Sequence, residues 1–149
     1  MMTIQQTVDW ASPDGQLLVA SVYRQMQRRV LRWPLLALAL LTVIGIVWVV
    51  YYRNIFFLLA AALLGLLVWW NTRRSLSRVL MTARNSGVTE FRLDQENGAL
   101  HIVNAQGSFR LPLTSMGGVS RYQGALCVQY RDNATLMIPD GPVRTVLER

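Results

Sequence analysis

The stretch Tyr51-Tyr52-Arg53-Asn54 separates two apolar runs, WPLLALALLTVIGIVWVV over residues 33–50 and IFFLLAAALLGLLVWW over residues 55–70. Either it interrupts one long helix or it turns a hairpin, and the architecture depends on which. From Trp33 to Trp70 the only charge is Arg53. One straight helix of that length would run about 57 Å. A bilayer's hydrocarbon core is about 30 Å thick, so a single span cannot use it all. Divided at Arg53, the segment becomes two spans, 33–52 and 54–70, each near the spanning length. A tip of a few residues is an ordinary connection between antiparallel helices. A pair of core helices in a soluble protein would be apolar along one stripe, whereas these runs are apolar on every face.

The flanking charges orient the hairpin. All 15 basic residues are Arg, in a chain of 149 residues with formal net charge +7. Arg24, Arg28, Arg29 and Arg32 precede the first span, and Arg73, Arg74, Arg78 and Arg84 follow the second. Basic residues collect on cytoplasmic flanks, so both termini are expected in the cytoplasm and the tip outside. Trp33, Trp69 and Trp70 fall at the expected inner interface, and Tyr51 and Tyr52 at the outer one, where amphipathic rings favour headgroup depth. Arg53 can snorkel to the outer headgroups. Folding the chain at residues 52 and 53 sets Gly45 at the depth of Ala60. Ala61 and Gly65 are four apart, a spacing of small residues that lets helices approach closely in lipid. This stripe serves either the hairpin itself or a second copy of the chain.

Divided along the chain, the charge excess is juxtamembrane. Residues 88–149 hold six Arg and six acids and carry no net charge. The excess therefore reads as attraction to anionic headgroups near the Arg flanks. No groove-reading element carries it, and nucleic acid is not an expected partner. The first apolar run begins only at residue 33 and is longer than a signal h-region, so it is expected to stay as an anchor.

Four segments follow: residues 1–32, an N-terminal arm and amphipathic juxtamembrane helix; 33–70, the hairpin; 71–87, a basic helix ending at Asn85-Ser86-Gly87; and 88–149, a β-domain. In the first, TIQQTVDW reads as a short strand or an irregular arm. Ser12 is a candidate N-cap with Pro13 after it. Leu18, Val22 and Met26 recur at helical spacing, on a helix that lies on the membrane or packs on the cytoplasmic domain. In the last, VTEFRLDQ places Thr89, Phe91 and Leu93 on one face. Asn97-Gly98 suits a two-residue hairpin pairing Glu96 with Ala99, which sets Leu93 against Ile102 and Asp94 against His101. SFRLPL puts Phe109, Leu111 and Leu113 on one face, TSMGG reads as a turn, and VSRY, ALCVQY and ATLMIP follow as strands. About six short strands with turn signals make an antiparallel meander, a small curved sheet or open barrel. DGPVRTVLER suits a short helix with Pro142 near its start, able to cover one open end. The expected fold class is membrane α+β: a two-helix transmembrane hairpin, a small cytoplasmic antiparallel β-domain and a short C-terminal helix.

The order of these elements resembles the bacterial YcxB-like membrane proteins. The likeness rests on the minimal span connection, the basic juxtamembrane helix, and the stretches FRLDQENGALHI, FRLPLTSMGGVSRY and ALCVQYRDNATLMIPD, over roughly residues 20–140. It implies a multi-pass inner-membrane location and a pleckstrin-homology-like (PH-like) β-domain. Where the family often shows a tryptophan at the end of the third strand, this chain has Leu111-Pro112-Leu113. Phosphoinositide binding by pleckstrin-homology domains uses a basic first loop. The matching loop here, DQENG, is acidic, so that activity is not carried over.

No glycine-rich phosphate loop, G-x-S-x-G or HExxH occurs, and Thr42 is the main polar group inside the spans. Cys127 is a single cysteine, expected as a packed strand thiol. No catalytic residue, metal or cofactor is expected. The chain reads as a non-enzymatic interaction or regulatory module for a protein partner. The alternatives are an immunity protein against a membrane-acting toxin, or a self-assembling structural membrane protein. Arg110, Arg121, Tyr122, Tyr130 and Arg131 are the candidate partner-binding side chains, because Arg and Tyr are favoured interface anchors.

Overall fold

The structure, a computed structural model, describes residues 3–130 and 134–148. In chain order the elements are β1 (Thr3–Asp9), α1 (Pro13–Val30), α2 (Arg32–Tyr52), α3 (Phe56–Ser86), β2 (Val88–Asp94), β3 (Ala99–Asn104), β4 (Gly107–Pro112), β5 (Met116–Tyr122), β6 (Ala125–Tyr130), β7 (Thr135–Pro139) and α4 (Pro142–Leu147). They form two compact units. One is Met1–Tyr23 with Val79–Arg149, and the other is Arg24–Arg78.

The first unit holds two antiparallel sheets, ordered β1-β2-β3-β4 and β5-β6-β7. Strand alternation decides which residues meet between them. Phe91 and Leu93 of β2, Leu100 and Ile102 of β3, and Leu111 of β4 are buried, together with Leu126 and Val128 of β6 and Ile138 of β7. These side chains form one core, joined by Trp10, Val19 of α1 and Val143 of α4. Pro142 opens α4 at its first turn, where a missing N–H costs nothing. Val143 is fully buried, and α4 contacts β1, β2 and β7.

Several local expectations change here. The segment TIQQTVDW is a strand, and it pairs along its length with β2, from Thr3 opposite Asp94 to Asp9 opposite Val88. Residues 1–32 are therefore not an appendage: β1 and the first turns of α1 are built into the β-unit. Ser12 Oγ accepts from the Gly15 N–H at 3.1 Å, as an N-cap does. Val19 and Val22 are buried, so the first half of α1 packs on the sheets.

The β2–β3 hairpin has a different register from the one expected. Asp94 lies opposite Ala99, Leu93 opposite Leu100, and Arg92 opposite His101. The loop is Gln95–Gly98 rather than two residues. The cause is Asp94, whose carboxylate accepts from the backbone N–H groups of Glu96 (3.2 Å) and Asn97 (3.3 Å) and from Asn97 Nδ2 (2.5 Å). This closes an Asx-type turn before the Asn-Gly pair is reached. The slip preserves parity, so the apolar face stays inward. His101 consequently stands across from Arg92 and Arg110, not Asp94.

The expected turn at Thr114–Gly118 is also displaced. Leu113–Ser115 forms one 3-10 turn, and Met116, Gly117 and Gly118 already belong to β5. A register shift between Met116 and Gly118 marks a bulge there. β6 departs from simple alternation, with Ala125, Leu126, Cys127 and Val128 all buried.

The second unit is a helix pair. Pro34 has no N–H to offer the carbonyl of Val30, and α1 gives way to α2 at Leu31. α2 ends where Arg53 adopts the left-handed conformation at φ 51°, its N–H bonded to the Val49 carbonyl at 2.9 Å. Asn54 Oδ1 then accepts from the Phe56 N–H at 2.9 Å and starts α3. The chain thus turns between two helices at residues 53–55, as expected of a hairpin, with Tyr51 and Tyr52 closing α2. Gly45 is buried, and a Cβ there would meet Leu58 at 3.1 to 3.4 Å. Gly65 faces Leu38 in the same way, at 3.6 Å. Gly45 therefore stands against Leu58 rather than Ala60. The Leu58 backbone nitrogen itself comes within 3.3 Å of a Cβ placed at Gly45, so the offset lies in how the two backbones align. Ala61 is buried in α3, while Ala60 is half-buried.

Candidate functional site

α2 and α3 are both long and apolar enough to cross a membrane, and only 6% of each apolar window is buried. The core helix of a soluble protein would be mostly buried. Here Leu36, Leu40, Val43, Val50, Leu59, Leu63 and Leu67 are among the exposed apolar residues. Such a contiguous surface needs a partner or a lipid phase.

The aromatic residues expected at interfaces stand at the two ends of α2 and at the end of the apolar run within α3. Trp33 is 78% exposed near the start of α2, and Tyr51 and Tyr52 are exposed at its end. Trp48 stacks on Tyr52 at 4.4 Å and meets Phe57 edge-on at 5.3 Å, across the turn. Trp69 and Trp70 are exposed on α3, followed one turn later by Arg73 and Arg74. Arg29, Arg32 and Arg53 are exposed as well.

The five candidate partner-binding residues are not one cluster. Arg110 is exposed on β4, opposite His101. Arg121 is exposed on β5, with its Nε 3.5 Å from Glu148 Oε1. Tyr122 is buried at 9% exposure and belongs to the interior, which corrects its choice as a surface anchor. Tyr130 is half-buried at the end of β6, and burial pushes its phenol pKa up. Arg131 lies outside the described residues.

Of the described members of this set, Tyr130 borders a depression beside the start of β5. Among the described residues, β5 has a strand on one side only, β6. Thr114–Gly118, Gln129 and Tyr130 line an open depression of about 530 Å³ at its start. Gly117 and Gly118 place no side chain in it, and a Cβ at either would reach Gln129 at 3.5 Å, an ordinary contact. Val119 is 53% exposed further along the strand. Sequence reasoning named Tyr130 but missed the two glycines, because a Gly pair reads as a turn until the bulge is seen. β1 is tied to the end of β7 and the start of α4 through Gln6. Gln6 Nε2 donates to the carbonyls of Pro139 (3.1 Å) and Asp140 (3.2 Å), and its Oε1 accepts from the Val143 N–H at 3.3 Å.

Cys127 is a buried free thiol whose pKa is raised by burial. It is held as a thiol rather than as a nucleophilic thiolate. Among the described residues, no group of three His, Cys, Asp or Glu could hold a metal ion. No protein-family model matches the chain, and no curated protein or solved structure matches it. The YcxB-like resemblance therefore rests on residue patterns alone.

Proposed function

We propose that the chain is a YcxB-like integral protein of the bacterial inner membrane. Its α2–α3 hairpin crosses the bilayer twice, with both termini in the cytoplasm. Its β-unit is a PH-like, non-enzymatic interaction module for a protein partner. The observation that carries this reading is the pairing of β1 with β2 on either side of the helical segment. Both ends of that segment return to one sheet, so the chain must re-emerge on the side it left. Two apolar helices satisfy that condition, and one or three would not. The low burial of both helices supports a lipid environment, and the Arg excess on their flanks selects the cytoplasmic side.

Two antiparallel sheets over one core, with a C-terminal helix against one end, support the PH-like reading. The β5 edge is the docking position in this proposal. An unpaired strand offers a row of backbone donors and acceptors to an extended segment. Reporter fusions test the topology. Reporters at residues 1 and 149 should be cytoplasmic, and one inserted at Asn54 should be external. An external C-terminal reporter would overturn the proposal.

A further inference from the structure

Residues 24–78 contain eight Arg and no Asp or Glu. No carboxylate within this unit can neutralise them. Two of the eight, Arg73 and Arg74, stand on α3 one turn after Trp69 and Trp70. A spacing of four brings Trp69, Arg73 and Ser77 into one row and sets Trp70 and Arg74 beside it. These five side chains line an open depression of about 230 Å³. The Arg73 guanidinium carbon lies 5.4 Å from the centroid of the Trp69 ring. Stacking on the indole steadies the guanidinium while its rim of N–H donors stays available.

We propose that this face of α3 binds the phosphate of an anionic phospholipid headgroup. Arg73 and Arg74 donate to the phosphate oxygens, and the Ser77 hydroxyl adds a third donor. Trp69 and Trp70 lie against the glycerol and upper acyl region. Charge complementarity selects the anion, and the planar fork of Arg suits a phosphate in two-point contact. The indoles select a lipid over a free ion. They are 53% and 64% exposed and end the apolar run that begins at Ile55, so a small anion would leave them in water. The inference rests on the membrane reading above and adds a specific headgroup site to it.

The test uses the full chain. Native mass spectrometry from detergent measures retention of added phosphatidylglycerol against phosphatidylcholine. Arg73→Gln with Arg74→Gln should weaken phosphatidylglycerol binding by about tenfold or more, given two lost basic contacts at the surface. Arg92→Gln, on β2 and outside the helical unit, should leave it unchanged. Arg73→Lys with Arg74→Lys, which keeps charge without the fork, should recover only part of the loss. Equal retention by wild type and the Gln pair overturns the site, as does an equal loss from Arg92→Gln. Competition by inorganic phosphate as effective as that by the lipid overturns the lipid assignment. Flotation with phosphatidylcholine vesicles separates the two levels. If the wild type fails to float, the membrane reading falls and the site falls with it. If it floats while the lipid comparison fails, only the site is overturned.

Discussion

The backbone N–H of Trp10 donates to the carbonyl of Gly87 at 3.0 Å, joining the residue after β1 to the residue before β2. This bond closes the base of the whole helical excursion. Gly87 makes the closure possible by taking φ +59° as α3 stops, with its own N–H bonded to the Arg84 carbonyl at 3.2 Å. A Cβ at Gly87 would meet only Ala105 Cβ at 3.8 Å, so the cost of a side chain there is conformational, not steric. Gly87→Ala should lower the stability of the β-unit by about 1–2 kcal/mol, and Gly87→Asn by less, because Asn tolerates the left-handed region. Chemical denaturation in detergent measures both. A neutral Gly87→Ala would show that the closure does not depend on this geometry.

The β-unit should not survive cutting at residue 88. A fragment of residues 88–149 lacks β1, Trp10, Val19 and Val22, three of them buried apolar side chains of that unit. It should unfold without cooperativity. A chain joining residues 1–23 to 79–149 through a flexible Gly-Ser linker should unfold in one transition. Cys127 gives an independent readout. Burial raises its pKa, so the thiolate is scarce in the folded state and alkylation should be slow in the linked chain and fast in the fragment. Cooperative unfolding of 88–149 alone would contradict this.

Gly45→Leu should disturb the helix pair. Its side chain would enter space held by Leu58, an overpacking cost of about 1–3 kcal/mol. Leu40, 63% exposed, is the proper control, and Leu40→Ala should be tolerated. Leu38 is not a lipid-facing control, because it sits against Gly65. Thermal aggregation in detergent compares the variants, and equal midpoints would refute the Gly45–Leu58 contact.

Asp94 should confer an acid-sensitive contribution to the hairpin. Its pKa is lowered chiefly by the side-chain hydrogen bond from Asn97, then by the Asn97 backbone N–H. A folded-state pKa below the unfolded one adds stability above the unfolded value of about 3.9. That stability is lost as pH falls through the folded pKa. Asp94→Ala should therefore destabilise the β-unit at neutral pH. The gap between variant and wild type should close in strong acid. A gap independent of pH would assign the effect to packing instead.

Thr89 offers a gain. It is 3% exposed, and its Oγ1 is the buried side-chain polar atom that finds no partner among the described residues. Thr89→Val keeps the shape and removes the unsatisfied hydroxyl. Stability should rise by about 1 kcal/mol or stay level. A clear loss would reveal a hydrogen bond from a solvent molecule at this position.

Local chemistry was enough to place most elements. The two apolar runs and the Arg53 break declare a helix pair because every turn lacks a polar face. The alternation in Val88–Asp94 declares a strand with Phe91 and Leu93 inward, since side chains two apart share a face. Gly87 and Pro142 mark a helix end and a helix start through their own backbone limits. What a residue pairs with was a different matter. Thr3–Asp9 has the alternation of a half-exposed strand, but its partner β2 lies beyond three helices, and no local pattern points across them. The hairpin register turned on one carboxylate, Asp94, reaching the backbone ahead of Asn97-Gly98. Tyr122 reads as a surface anchor by type and is buried by its place at the end of β5. The β5 edge exists only because β4 and β5 fall in separate sheets. Periodicity is set by neighbours along the chain, so the sequence by itself determined it. Pairing, register and edges are set by contacts between distant segments competing for one core, and only the tertiary structure decided those.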